Sequence, residues 1–247
     1  GIAWGGGEIN TGAGEISFAG RTVGNPSTSG TDNFGLGLGV QYATAADLPK
    51  LVTSAPVSIT GTTSSTATGH GGIYLGGIDF DSGTATITAT SDRRLVFGSA
   101  STIRSPLAAV STGAGIEITG TQTWNGTSNT LTCSSGQFSN TASGAITATG
   151  SVTAACSSIT TSGAISAGGA VSLESVGSSS ATSVNANLTT TNAGSDLVLK
   201  SKSNVLIDAA GVALQTAGAN NGSGGRIIIW SDSDASGQGY VQIDPNS

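Results

Sequence analysis

The stretch "GAITATGSVT" at residues 144–153 returns nineteen residues later as "GAISAGGAVS" at 163–172. Each copy carries two short runs in which Ile, Val or Ala alternates with Ser, Thr or Ala, parted by glycine. A second echo links "TLTCSS" (130–135) to "TAACSS" (153–158), twenty-three residues on. A looser one links "VSITGT" (57–62) to "IEITGT" (116–121), about three such periods apart. Self-similarity at periods of roughly 20–50 residues marks stacked repeats, because a single unit cannot bury its apolar edge alone. A period of about twenty has room for three short strands and three turns, which is one coil of a parallel β-helix.

Outward from this repeat, β-type runs alternate with Gly, Ser, Asn and Asp turns along most of the chain. Examples are "RLVF" (94–97), "DLVLK" (196–200), "VLID" (205–208) and "RIIIW" (226–230). The one stretch of helical composition, "ATAADLPKLV" (43–52), is short and is broken by Pro49. The chain therefore reads as all-β, with residues 1–110 a less regular start and residues 111–247 the regular β-helix repeats. Coils of roughly twenty residues would number about twelve and form a rod of roughly 55–60 Å at ~4.8 Å per coil. Alternation places Leu197 and Leu199 inside, together with Ile227 and Ile229. The many alanines predict a thin core. A β-sandwich is the alternative; it has a similar strand density but offers no reason for a nineteen-residue repeat.

Charged residues make up 9 % of the chain, against roughly 25 % in an ordinary globular domain. So little charge argues against a polyelectrolyte-like disordered tail, and the periodicity argues against a Gly/Ser linker. Net charge is −6 and the densest basic spot is Arg93-Arg94, so a nucleic-acid backbone finds nothing to grip. No apolar run approaches the ~20 residues that span a bilayer. The absence of methionine is read as the mark of a processed or excised piece of a longer product.

The segment "GGRIIIWSDSDASGQGYVQI" (224–243) joins a Gly-rich approach, a strand ending in Trp-Ser-Asp, the turn "DASGQG" and a new alternating strand. As a whole it resembles a recurring segment of filamentous-haemagglutinin-like bacterial exoproteins of the two-partner secretion type. The "GAI" units of 144–169 and "SDLVLKSKSNVLI" (195–207) resemble the repeat regions of the same proteins. The likeness covers about the last 130 residues by motif and the first 110 by composition only. It implies a right-handed parallel β-helix, extracellular or displayed on the bacterial cell surface, used in adhesion, aggregation or matrix. The family's amino-terminal secretion domain bears an Asn-Pro-Asn signature. "GNPS" (24–27) holds only two of those letters, so no export role is transferred to it.

Candidate chemistry is sparse. Asp232, Asp234 and Ser236, followed by Gly237, fit the opening of a calcium loop, with oxygen ligands at alternate positions and a glycine for the sharp turn. The twelfth position should be a bidentate Glu but is Ile243, so a plain turn between strands is the favoured reading and Ca2+ the alternative. No other cofactor is expected. Asp79 and Asp81 share one strand face, as a glycosidase carboxylate pair would, and Gly69-His70-Gly71 supplies the only histidine. The flanking motifs of β-helical polygalacturonases are missing, however, so a polysaccharide-active enzyme is the lesser reading. Cys133 and Cys156 occupy matching repeat positions, and stacking on adjacent coils would bring their Cα atoms to about 5 Å. Both a disulfide and a pair of buried thiols fit that geometry. Threonine-rich runs "TATITAT" (84–90), "TQT" (121–123) and "TAT" (147–149) would present a hydroxyl lattice to ice or mineral if their spacing were constant; along the chain it is irregular.

The expected function is a non-catalytic β-helical adhesion or structural segment. Its partners would be itself through axial self-assembly, consecutive segments of the parent chain, and carbohydrate or protein of a cell surface or matrix. No nucleic acid and no membrane span are expected.

Overall fold

The computed structural model describes residues 2–4, 6–23, 34–39, 48–64, 70–216 and 223–244. Within them lie twenty-eight short strands, from β1 (Ile2–Trp4) to β28 (Val241–Ile243), and no helix. Each strand from β1 to β25 pairs in parallel with the strand three places further along. The result is three sheets of ten, nine and nine strands that run the length of the molecule. This is a parallel β-helix. The same three sheets run through the described residues on both sides of position 110.

The repeats fall where stacking puts them. Ile146 pairs with Ile165 and Val152 with Val171, at the nineteen-residue offset, and Thr130 pairs with Thr153 at twenty-three. The looser echo does not hold: β6 (Val57–Thr63) belongs to the third sheet and β13 (Gly115–Ile118) to the first, so these strands are not equivalent. Ten strands in the longest sheet also replace the twelve expected coils, giving a stack of about 43 Å. Corner insertions account for the difference. Glu8 stacks on Lys50, forty-two residues on, and Val205 on Val241, thirty-six on. Part of the stretch with helical composition is a strand, β5 (Lys50–Thr53); residues 43–47 and the "GNPS" tetrapeptide lie outside the described residues.

Alternation along each strand sends one set of side chains into a continuous core. Leu197 and Leu199 are fully buried, as the pattern requires. Aliphatic residues dominate, but the core is not uniformly thin. Trp124, Phe80, Phe97 and Phe138 are all enclosed, and Phe97 meets Trp124 edge-on with ring centroids 5.8 Å apart. Trp124 is accommodated because Ala148 follows it in the same column, a large side chain stacked beside a small one.

Near the corner where the third sheet hands the chain to the first, one inward position of each strand forms a column of small residues. It runs Gly61, Ser91, Ser111, Cys133, and then Cys156, Ser175, Ser201. Backbone carbonyls at a corner leave the sheet ladder and need other partners. Serine hydroxyls supply them: Ser111 donates to the Arg93 carbonyl at 2.6 Å and Ser175 to that of Ser157 at 2.8 Å. At Gly61 the chains approach so closely that a Cβ would run into the Gly72 carbonyl oxygen.

Candidate functional site

Cys133 and Cys156 sit in the corner column on adjacent coils, both buried, and are joined by a disulfide with Cα atoms 4.4 Å apart. Leu131, two residues before Cys133, is buried on the same face. No cysteine is free.

The Asp-rich loop after β27 (Ile227–Trp230) is closed by its own side chains. Asp232 Oδ1 accepts from the Ser236 hydroxyl at 2.9 Å, and its carboxylate also accepts from the Gly237 N–H. The Ser236 hydrogen bond is the chief reason the Asp232 carboxyl titrates below the ordinary aspartate range, with the Gly237 N–H adding to it. Asp234 Oδ1 faces the Ser236 N–H at 3.3 Å. Asp232 and Ala235 hold positive φ values of 53° and 57°, the backbone of a tight turn. Among the described residues no three His, Cys, Asp or Glu side chains converge as a metal set would.

The carboxylate pair is likewise engaged. Asp79 and Asp81 point outward from β8 (Asp79–Asp81) on the second sheet. Arg104 grips both oxygens of Asp79 at 2.9 and 3.0 Å, and Asp81 accepts from the Gly83 N–H at 2.8 Å. The Asp79 hydrogen bond, then its charge, raises the Arg104 pKa further. His70 is buried just ahead of β7 (Gly71–Leu75), a strand of the first sheet. The structure thus places the histidine and the two aspartates on different sheets.

The outward faces differ in character. On the first sheet Arg94 pairs with Glu117 at 2.9 Å, and on the second Lys50 pairs with Glu8 at 3.5 Å beside the Asp79–Arg104 pair. The second sheet continues as a single file of hydroxyls: Thr102, Thr123, Thr147, Ser166, Thr189. The third sheet has longer strands and carries two outward columns side by side. One runs Ser58, Thr88, Ala108, Thr130, Thr153; the other runs Thr60, Thr90, Val110, Thr132, Ala155. No register shift interrupts them. One rung beyond Ala155, Glu174 pairs with Lys200 at 2.8 Å, and the Lys200 ammonium lies 5.4 Å from the Trp230 ring centroid. The paired threonine columns escaped the sequence reading because their members lie on coils of unequal length. Their trace in the sequence is the in-phase pairing of "TLT" (130–132) with "TAA" (153–155).

Among the described residues nothing covers the last coil. Ile227 and Ile229 stack on Leu197 and Leu199, but only Ile229 packs against the core; Ile227 is 44 % exposed. The expectation that both are interior fails because no further rung among the described residues covers this coil. Trp230, Tyr240, Val241 and Ile243 are exposed around it, Ile243 by 57 %.

Compared with family models, with curated protein sequences and with solved structures, the chain matches none. Its class, a parallel β-helical solenoid, rests on the register of its own strands.

Proposed function

We propose that this chain is a non-catalytic rod segment of an extracellular or surface-displayed protein, serving structure and adhesion through axial stacking. The observation that carries the reading is the uncovered last coil, where Ile227, Val241 and Ile243 stand exposed in columns that are buried one rung earlier. The edge strands here offer unpaired backbone groups in parallel orientation. A first coil of like geometry, from another copy or from a consecutive segment of a longer chain, continues all three sheets head to tail. Such a contact is heterologous and propagates as a filament. The stacked backbone ladders supply stiffness, and the disulfide suits an oxidising, extracellular setting. Likeness of the 224–243 segment to haemagglutinin-type exoproteins supports the same reading. Electron microscopy and light scattering over a concentration series test it. Rods that lengthen with concentration, and shorten in Val241→Lys/Ile243→Lys, are expected; compact particles of constant size at every concentration would sink the proposal.

A further inference from the structure

The paired columns on the third sheet stand side by side, unlike the single hydroxyl file of the second sheet, and their hydroxyls are not spent as those at the corners are. Corner serines and threonines spend their hydroxyls on backbone carbonyls, as Ser111, Ser175 and Thr182 do. The hydroxyls of Thr60, Thr88, Thr90, Thr130, Thr132 and Thr153 hydrogen-bond no other described residue. All six side chains are half-buried among their neighbours, and branching at Cβ restricts their χ1, so the hydroxyls are held in place before any ligand arrives. The backbone sets the grid: about 4.8 Å between rungs and, across two residues of one strand, about 6.7 Å between columns. Five consecutive rungs span about 19 Å. Val110 and Ala108 interrupt the hydroxyls at one rung but keep the methyl surface.

The chemistry of the grid selects its occupant. No charged residue stands within it, and charge begins at its margins with Asp92 and the Glu174–Lys200 pair, so an ionic mineral finds no counter-charges. It has no aromatic ring, so it lacks the platform on which sugar rings stack. What it offers is a neutral, two-dimensionally periodic set of hydroxyls and methyls. Both repeats lie near oxygen–oxygen repeat distances across the faces of hexagonal ice. We infer that this face adsorbs to ice, with threonine hydroxyls taking positions in the water lattice and the methyl groups seated between them. The single hydroxyl file on the second sheet lacks the second dimension and is not the binding face.

The test is partition into ice grown slowly from a dilute solution of the protein mixed with an inert soluble protein, together with thermal hysteresis. The protein should be enriched in the ice fraction over its companion. Thr90→Arg and Thr132→Arg should each reduce the enrichment to the companion's level, while Thr123→Arg on the second sheet leaves it intact. Val110→Thr, nearly isosteric and completing the grid, should increase hysteresis and leaves the fold undisturbed. No enrichment of the folded protein overturns the inference. So does equal loss in Thr90→Arg and Thr123→Arg, or enrichment that disappears on dilution because copies associate through this face.

Discussion

Cys133 and Cys156 are bonded across adjacent coils at the two places where a column of serines gives way to cysteine. Ser111 lies one rung below and Ser175 one rung above. The site therefore already accepts a side chain of serine's size. Replacing both cysteines by serine is expected to preserve the β-helix and remove the cross-link. For a closed loop of this length the loss is about 3 kcal/mol in the chain-entropy account. Thermal melts with and without reductant check it: the wild type should lose stability on reduction, and the double serine variant should not respond.

Gly61 stands in the same column, where the third sheet turns into the first. An added methyl would meet the Gly72 carbonyl oxygen, which belongs to a backbone that cannot step aside. Gly61→Ala should destabilise by more than the ~1 kcal/mol typical of a random substitution. Ala109→Gly, which removes a methyl from a buried position of the same sheet without creating a clash, serves as the comparison in urea melts.

Asp196 anchors the last coil through Arg226, accepting from its N–H at 2.7 Å and from its guanidinium at 2.6 Å. The Arg226 side chain, and then its N–H, holds the Asp196 carboxyl below the usual range, while Arg226 itself is raised and stays charged. A carboxyl depressed in the folded state stabilises fully above its unfolded pKa and loses that contribution as pH falls through the folded value. Protection of the amides over 223–244, taken relative to the intrinsic exchange rate at each pH, should therefore fall on acidification below the ordinary aspartate range. Asp196→Asn should show the lowered protection already at neutral pH.

Asp232 shapes its own turn, and the same sign applies. Protonating it removes the acceptor for Ser236 and Gly237, so the loop should loosen in acid and in Asp232→Asn. Because these oxygens already serve the loop, added Ca2+ is expected to leave the melting temperature unchanged. A rise with Ca2+ that vanishes in Asp232→Asn would show a metal loop instead.

Much of the architecture was legible in the residues alone. Period-two alternation is a local property of a strand, so the all-β class and the inward set at Leu197 and Leu199 followed directly. The nineteen-residue repeat required coils, because only stacked strands give it a physical cause. Coil number was not legible, since corner insertions change chain length without changing the stack. The loose match of 57–62 to 116–121 misled for the same reason. Ile227 shows a further limit: alternation tells which way a side chain points, but burial depends on whether another rung lies over it.

Sequence by itself thus determined the β-helix and the direction of its side chains, because hydrophobic periodicity acts over a few neighbouring residues. Tertiary structure alone decided which distant residues share a rung. It paired Cys133 with Cys156, tied Asp79 to Arg104, and aligned Thr90 with Val110 and Thr132 into a surface grid. Interstrand hydrogen bonds enforce that alignment whatever the length of the loops between, and loop length is what obscures it along the chain.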